Sequence, residues 1–366
     1  MLFRSTNTSA NVGIVTIHDT AADSIDSGEL NNDFVTNDNT LVIKGNSQGF
    51  THSGDTEGDQ FLVTILDSAN RVVASQYVTP DSAGNWVMDN KANPLADGAY
   101  TINVDIVDLA GMTVKAAAAT HSLVVDTNQG GTDSGSNPGN SGTDGNAGNT
   151  VAVGVTSITD DTGINTSDYI TSDNRLVISG NTTNFSNTGG SAGDKVRVQI
   201  VDAMGQVVAQ KYVTPDGAGN WTADATGTAL ADGNYTIRNA IVDKAGNVVK
   251  AGANQPLVIS NAAAPTSATV SIASISEDTG YDSTDFTTSD NTLTIHGGTN
   301  GYNASVNKVL VQILDGSTVV ATGFATVNSS TGAWTFDVTA AHANLALADG
   351  SYTVRAILTN LAGNEI

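Results

Sequence analysis

KVRVQIVDAMGQVVAQKYVTPDGAGNW, residues 195–221, alternates apolar and polar residues, breaks at a turn, alternates again and breaks once more. Val196, Val198 and Ile200 fall on one face, the period of a half-buried strand. Asp-Ala-Met-Gly at 202–205 and Asp-Gly-Ala-Gly-Asn at 216–220 supply the turn residues between the runs. Further along the chain, turn signals recur about every 8–12 residues, with no convincing helical period between them.

The stretch has two relatives in the same chain, FLVTILDSANRVVASQYVTPDSAGNW at 61–86 and KVLVQILDGSTVVATGFATVNSSTGAW at 308–334. The marker tryptophans Trp86, Trp221 and Trp334 lie 135 and 113 residues apart, spacings of whole domains rather than of solenoid repeats. Seven short strands in about 100 residues predict an all-β fold, a tandem array of three immunoglobulin-like β-sandwiches. The domains are expected at 11–127, 150–260 and 267–366. The tryptophans are read as core residues rather than sugar-stacking platforms. Asp-Gly-x-Tyr at 97–100, 232–235 and 349–352 fits a tyrosine corner, its hydroxyl bonded back to the backbone.

The connections differ. Residues 128–149 are rich in Gly, Ser and Asn and read as a flexible linker, whereas 260–268 is short and contains Pro265. A loose first joint and a stiffer second one are expected. The first two repeats end in VKAAAATHSLVVD (114–126) and VVKAGANQPLVIS (248–260), while the third stops just after its Leu-Ala-Gly-Asn turn. The third sandwich is therefore expected to lack its last strand. Either the sequence is a fragment or another chain supplies that strand, since an open edge exposes unpaired backbone groups.

Fourteen Lys and Arg stand against 37 Asp and Glu, a net charge of −23, which argues against nucleic acid and anionic membranes as partners. The absence of cysteine excludes disulfides and thiolate metal sites. No run approaches the roughly 20 apolar residues of a membrane span, so no membrane insertion is expected. MLFRSTNTSAN has no signal-peptide core, so export is expected to use another signal, or Met1 opens a fragment.

One acidic loop is written three times: DSGELNNDFVTNDN at 26–39, DTGINTSDYITSDN at 161–174 and DTGYDSTDFTTSDN at 278–291. Strands running up and down place it at the joint with the following domain, whose IVDKAGN turn brings Asp243; the third repeat has Asn360 there. Crowded carboxylates repel unless a cation intervenes. Ca²⁺, which takes six to eight oxygens in flexible geometry, suits such loops better than Mg²⁺. The candidate ligands are Asp26, Asp33, Asp38, Asp161, Asp168, Asp173, Asp243, Asp278, Asp285 and Asp290. The other reading is that these aspartates only shape turns, above all the last one of each motif.

The acidic loop, the Ala-Gly-Asn-Trp strand, the Leu-Ala-Asp-Gly-x-Tyr-Thr turn and the Ile-Val-Asp-x-Ala-Gly-Asn turn together resemble the bacterial Ig-like repeats of giant calcium-dependent surface adhesins, biofilm-associated proteins among them. The resemblance implies a string of sandwiches stiffened by Ca²⁺ at the joints, exported by type I secretion to the bacterial cell surface. Other regions of the parent protein would then contact host or abiotic surfaces. The expected function is an adhesin spacer in cell adhesion or biofilm formation. The alternative is a self-assembling filament or surface-layer subunit, completed by strand exchange between copies at the open third domain. A glycan-binding module would need Phe34, Tyr169, Tyr281 and Phe286 exposed beside the loops. An enzyme is not expected: the five histidines are not equivalent among the repeats, and no nucleophile elbow, zinc-protease motif or phosphate loop occurs.

Overall fold

The computed structural model describes residues 7–18, 26–52, 58–127, 146, 148, 150–162, 165–188, 191, 193–261, 267–342 and 345–366. The first domain contains β1 (Asn11–His18), β2 (Val35–Thr36), β3 (Val42–Gln48), β4 (Gln60–Asp67), β5 (Val72–Val78), β6 (Asn85–Asp89), β7 (Gly98–Val107) and β8 (Thr113–Val125). Strands β1-β3-β6 form one sheet and β2-β8-β7-β4-β5 the other. The second domain contains β9 (Ala152–Ile158), β10 (Ile170–Thr171), β11 (Val177–Thr183), β12 (Lys195–Asp202), β13 (Val207–Val213), β14 (Asn220–Asp224), β15 (Gly233–Val242), β16 (Val248–Ala251) and β17 (Gln255–Ile259). Its sheets run β14-β11-β9 and β10-β17-β15-β12-β13, with β16 also on β15.

The third domain contains β18 (Thr269–Ile275), β19 (Thr294–Asn300), β20 (Asn307–Asp315), β21 (Thr318–Phe324), β22 (Thr326–Val327), β23 (Ala333–Asp337), α1 (Val338–Ala341) and β24 (Thr353–Asn360). Its sheets run β18-β19-β23-β22 and β21-β20-β24. Among the described residues it has no counterpart of β8 or β17. The architecture is the tandem array of Ig-like sandwiches that the alternation predicts.

The two sheets of each domain close on one core. Val196, Val198 and Ile200 are buried, as are Trp86, Trp221 and Trp334, so the tryptophans pack rather than offer a sugar platform. Burying a side chain of this kind stabilises by about 1.5–3 kcal/mol or more. The corner tyrosines bond back as expected: Tyr100 Oη donates to Ala96 O (2.6 Å), Tyr235 Oη to Ala231 O (2.9 Å) and Tyr352 Oη to Ala348 O (2.9 Å).

The structure departs from the sequence reading in several places. Strands β2 and β10 emerge inside what reads as loop. They pair parallel with the ends of β8 and β17, Val35 with Val124 and Ile170 with Val258. A two-residue strand has no alternation to detect. Helix α1 is a single turn nucleated by Asp337, whose carboxylate accepts from Thr339 N and Ala340 N. Most of the predicted linker lies outside the described residues. Asn146, within the 128–149 stretch, is built into the second domain: its Nδ2 donates to Ser186 O and Asp194 Oδ2, both at 2.7 Å, and the site is buried. Asn7 does the same for the first domain, donating to Thr51 O and Asp59 Oδ2.

Candidate metal centre

The acidic loop folds the same way three times. The first aspartate follows the first strand of its domain, and its Oδ2 accepts the amide N–H eight residues on: Phe34 to Asp26 (2.6 Å), Tyr169 to Asp161 (3.0 Å) and Phe286 to Asp278 (3.0 Å). The second aspartate makes an Asx turn, its Oδ1 accepting from Val35 N at Asp33, Ile170 N at Asp168 and Thr287 N at Asp285. Each aromatic residue after it holds a left-handed backbone, with φ of 59° at Phe34, 60° at Tyr169 and 62° at Phe286. A side chain larger than glycine costs about 1–2 kcal/mol there. A strain recurring in all three copies points to a loop shape fixed by more than the local sequence.

The third aspartate is engaged in the turn behind the loop. Asp38 Oδ1 accepts from Thr40 N (2.7 Å), Asp173 Oδ1 from Arg175 N (2.9 Å) and Asp290 Oδ1 from Thr292 N (2.9 Å). Sequence reasoning misses the hydroxyl beside the first aspartate. Ser27, Thr162 and Thr279 each accept a loop amide through Oγ, from Asn37, Ser172 and Ser289. Its signal is the Asp-Ser/Thr-Gly opening shared by the copies.

The other oxygen of the first aspartate is the unusual one. Oδ1 of Asp26, of Asp161 and of Asp278 is buried and has no hydrogen-bond partner. An unsatisfied buried acceptor costs about 1–3 kcal/mol, more if charged. Burial pushes the Asp26 carboxyl up to about 7, and the Asp33 charge adds to this against the Phe34 amide. Burial also raises Asp161, opposed by the Tyr169 amide and reinforced by Asp168.

The loop of the first domain meets the second domain directly. Ser27 Oγ donates to Ala245 O (2.7 Å), Glu29 is ion-paired with Lys195, and Lys244 Nζ stands 3.6 Å from Asp33 Oδ2. Asp33 and Asp243 line one cavity of about 140 Å³ together with Glu29 and Lys244. Asp243 accepts from Asn247 N and Nδ2, both at 2.9 Å; burial lifts its carboxyl to about 7 despite these bonds, and Asp126 adds to the lift. Asn247 Nδ2 in turn donates to Asp126 O (2.8 Å). At the second joint Asn360 Nδ2 donates to Ser260 O (2.9 Å). The expectation of a loose first joint therefore needs correcting. A long linker does not hold domains apart when their facing loops are complementary, and here Lys195 and Lys244 answer Glu29 and Asp33. Both lysines were legible as cations beside acidic neighbours, yet neither draws attention in a search for carboxylates.

Asp26, Asp33 and Asp243 are thus brought to one joint, Asp161 and Asp168 lie in the loop next to the second, and Asp278 and Asp285 lie in the matching loop of the third domain. Among the described residues no group of three or more His, Asp or Glu side chains stands ready as a metal cage. A cation here would draw on two carboxylates per loop. That donor set is all oxygen, and the orphaned Oδ1 atoms lack only a positive partner, so the residues fit Ca²⁺. Phe34 is 2% exposed and Tyr169 9%, so these aromatics pack beneath the loop rather than present a glycan platform; Phe286 is 46% exposed and Tyr281 is fully exposed.

A family model described as bacterial Ig-like domain matches residues 12–127, 149–259 and 265–366. Comparison with curated proteins gives no match. Among solved structures the chain is similar to a tetra-tandem repeat in the extending region of a large adhesion protein, at 19% identity over 91% of this chain and 70% of that one, with a TM-score of 0.21. It is also similar to the BSP domain of a biofilm associated protein, at 13% identity over 98% of this chain and 65% of that one, with a TM-score of 0.20. The FN1-FN3 domains of chicken CNTN1 match at 8% identity over 97% of this chain and 93% of that one, with a TM-score of 0.27.

Proposed function

The chain belongs to the bacterial Ig-like domain family, and on that premise we propose that it is a spacer segment of a secreted bacterial surface adhesin, stiffened by Ca²⁺ at its acidic loops. The observation that carries the calcium reading is the buried, unpartnered Oδ1 on Asp26, Asp161 and Asp278. Asp26 with Asp33 would hold one ion at the first joint, with Asp243 on the facing turn of the second domain. Asp161 with Asp168, and Asp278 with Asp285, would hold others. Asp38, Asp173 and Asp290 would support the turns behind. The bound ion would supply positive charge beside the unpartnered Oδ1 atoms of Asp26, Asp161 and Asp278. The chain's own part is to fix the carboxylates through the Phe34, Tyr169 and Phe286 amides and to press loop against turn, which restricts bending between domains.

Extracellular modules bind calcium at about 10⁻⁴–10⁻³ M, and millimolar calcium outside a cell would fill them. No catalytic role is assigned. Adhesion or biofilm contacts would be made by other regions of the parent protein, with this segment setting reach.

Thermal unfolding with millimolar Ca²⁺, with Mg²⁺ and with chelator tests the reading. A ligand that binds only the folded state raises the melting temperature, by about 2.7 kcal/mol of stability at a hundredfold excess over Kd. The expected result is a calcium-selective rise that Asp161→Asn with Asp168→Asn removes from the second domain. No rise would leave an acidic spacer whose loops are shaped by hydrogen bonds alone.

A further inference from the structure

The two joints differ in their charges yet share one contact. Asp126 and Ser260 are the residues that follow the last strands β8 and β17. Each is tied to its own domain through its amide, Asp126 N donating to Thr36 O (2.9 Å) and Ser260 N to Thr171 O (2.8 Å). The carbonyl of the same residue accepts a side-chain amide from the following domain. Asn247 Nδ2 donates to Asp126 O (2.8 Å) and Asn360 Nδ2 to Ser260 O (2.9 Å). Asp126, Ser260, Asn247 and Asn360 are all buried.

The donors come from one kind of turn but from different places in it. In 243–247 and in 360–364 the first N–H donates to the fifth carbonyl and the glycine N–H to the first carbonyl. The first side chain caps the turn, its Oδ1 accepting the fifth N–H. An ionised Asp243 can only accept, so the second domain supplies the donor from the fifth residue. Asn247 Nδ2 gives its other N–H to Asp243 Oδ2 (2.9 Å). The third domain supplies it from the first residue: Asn360 caps with Oδ1 and donates with Nδ2, and Asn364 is exposed. The turn itself needs no amide. In the first domain 108–112 makes the same bonds with Asp108 and Met112 at those places, and Met112 is exposed.

We propose that a side-chain amide on this turn, at its first or its fifth position, is the latch that holds a sandwich to the one before it, by bonding the carbonyl of the residue that leaves the preceding domain. Two joints reach the same carbonyl from different turn positions, so the bond is the constant element and the residue that makes it is interchangeable. A carbonyl buried at a closed joint needs a donor from across it. Without the amide the closed joint leaves that acceptor unpaired, and opening lets water satisfy it. The ion pairs of the first joint are then an addition to the latch rather than a substitute for it. The proposal is independent of calcium.

Spin labels on the second and third domains of the intact chain, in chelator, test it through their distance distribution. Asn360→Asp keeps the cap, removes the donor and writes Asp-Leu-Ala-Gly-Asn, in which Asn364 stands where Asn247 does. Its distribution should stay as narrow as that of the unaltered chain. Asn360→Asp with Asn364→Met writes Asp-Leu-Ala-Gly-Met, a turn this chain already folds at 108–112. It should raise the population of open joints about tenfold, the effect of one lost buried hydrogen bond. Amide exchange in β24 should be unchanged in both variants, as expected if only the joint is released. A double variant as narrow as the unaltered chain overturns the latch. A single variant as broad as the double one overturns the claim that either position serves.

Discussion

Gly180 faces Trp221 across the β11–β14 pair, and the indole ring occupies the space that a β-carbon on residue 180 would need. The carbonyl of Gly154 on β9 closes the other side. Gly45 with Trp86 and Gly297 with Trp334 repeat the arrangement, so each core is keyed by a missing side chain under a large one.

Gly180→Ala is therefore expected to destabilise the second domain by about 1–3 kcal/mol, since neither backbone nor indole can withdraw cheaply. Gly154→Ala, where a β-carbon would meet nothing within 4 Å, should change stability by less than about 1 kcal/mol. Urea denaturation followed by Trp221 fluorescence separates the two. Equal effects would deny the keying.

Stability should also depend on pH, and in an unusual direction. Asp26 and Asp243 have carboxyls near 7 in the folded chain against an ordinary 3.8. Between about pH 4 and 7 the folded state thus holds more protons than the unfolded one, so stability falls as pH rises through that window. In chelator, the transition of the first joint should come at lower temperature at pH 8 than at pH 5.5, and Asp243→Asn should flatten the trend. The stabilisation by calcium should be larger at pH 8, where the carboxylates are ionised. A metal-free melting temperature that climbs from pH 5.5 to 8 would contradict the burial described for these groups.

The two joints should respond differently to salt. The first has ion pairs of Lys195 with Glu29 and Lys244 with Asp33; at the position of Lys244 the third domain has Leu361. Partly exposed pairs contribute about 0.2–1 kcal/mol each and are screened by salt. In chelator, 1 M NaCl or Lys244→Leu should broaden the distance distribution between spin labels on the first and second domains. Labels across the second joint should report no change.

The left-handed aromatics give a paired test. Phe34→Gly relieves about 1–2 kcal/mol of backbone strain but forfeits the burial of a full ring, for an expected net loss of about 2 kcal/mol or more. Phe286→Gly loses far less burial, so the third domain should be unchanged or gain up to about 1 kcal/mol. Domain-resolved amide exchange distinguishes the two. A large loss at Phe286 would mean that its ring packs in solution as Phe34 does.

Much of this was legible because alternation and turns are local properties. Val196, Val198 and Ile200, the three tryptophans and the corner tyrosines take the places that period and turn chemistry assign. The acidic loops could be found as motifs because they recur. What stayed hidden depends on distant partners. Strand β2 exists because Val124 N donates to Phe34 O and Asp126 N to Thr36 O, bonds that span about ninety residues. The role of Asn146 rests on Asp194, and the closeness of the first joint on lysines more than 150 residues from their acids. The orphaned Oδ1 atoms are a matter of burial, which a list of aspartates cannot reveal.

Strands β2 and β8 run parallel, with Val124 N and Asp126 N donating across at 2.9 Å, and β10 repeats this with β17. The chain enters each of these domains through the first strand and leaves through the last. Tension along a tethered string therefore reaches the parallel pair as shear, straining its hydrogen bonds together rather than opening them one by one. Resistance to pulling is then set by how slowly that pair lets go, an unfolding rate rather than an equilibrium stability. Strands β2 and β10 lie within the acidic loop, so whatever braces the loop also braces the seam under shear.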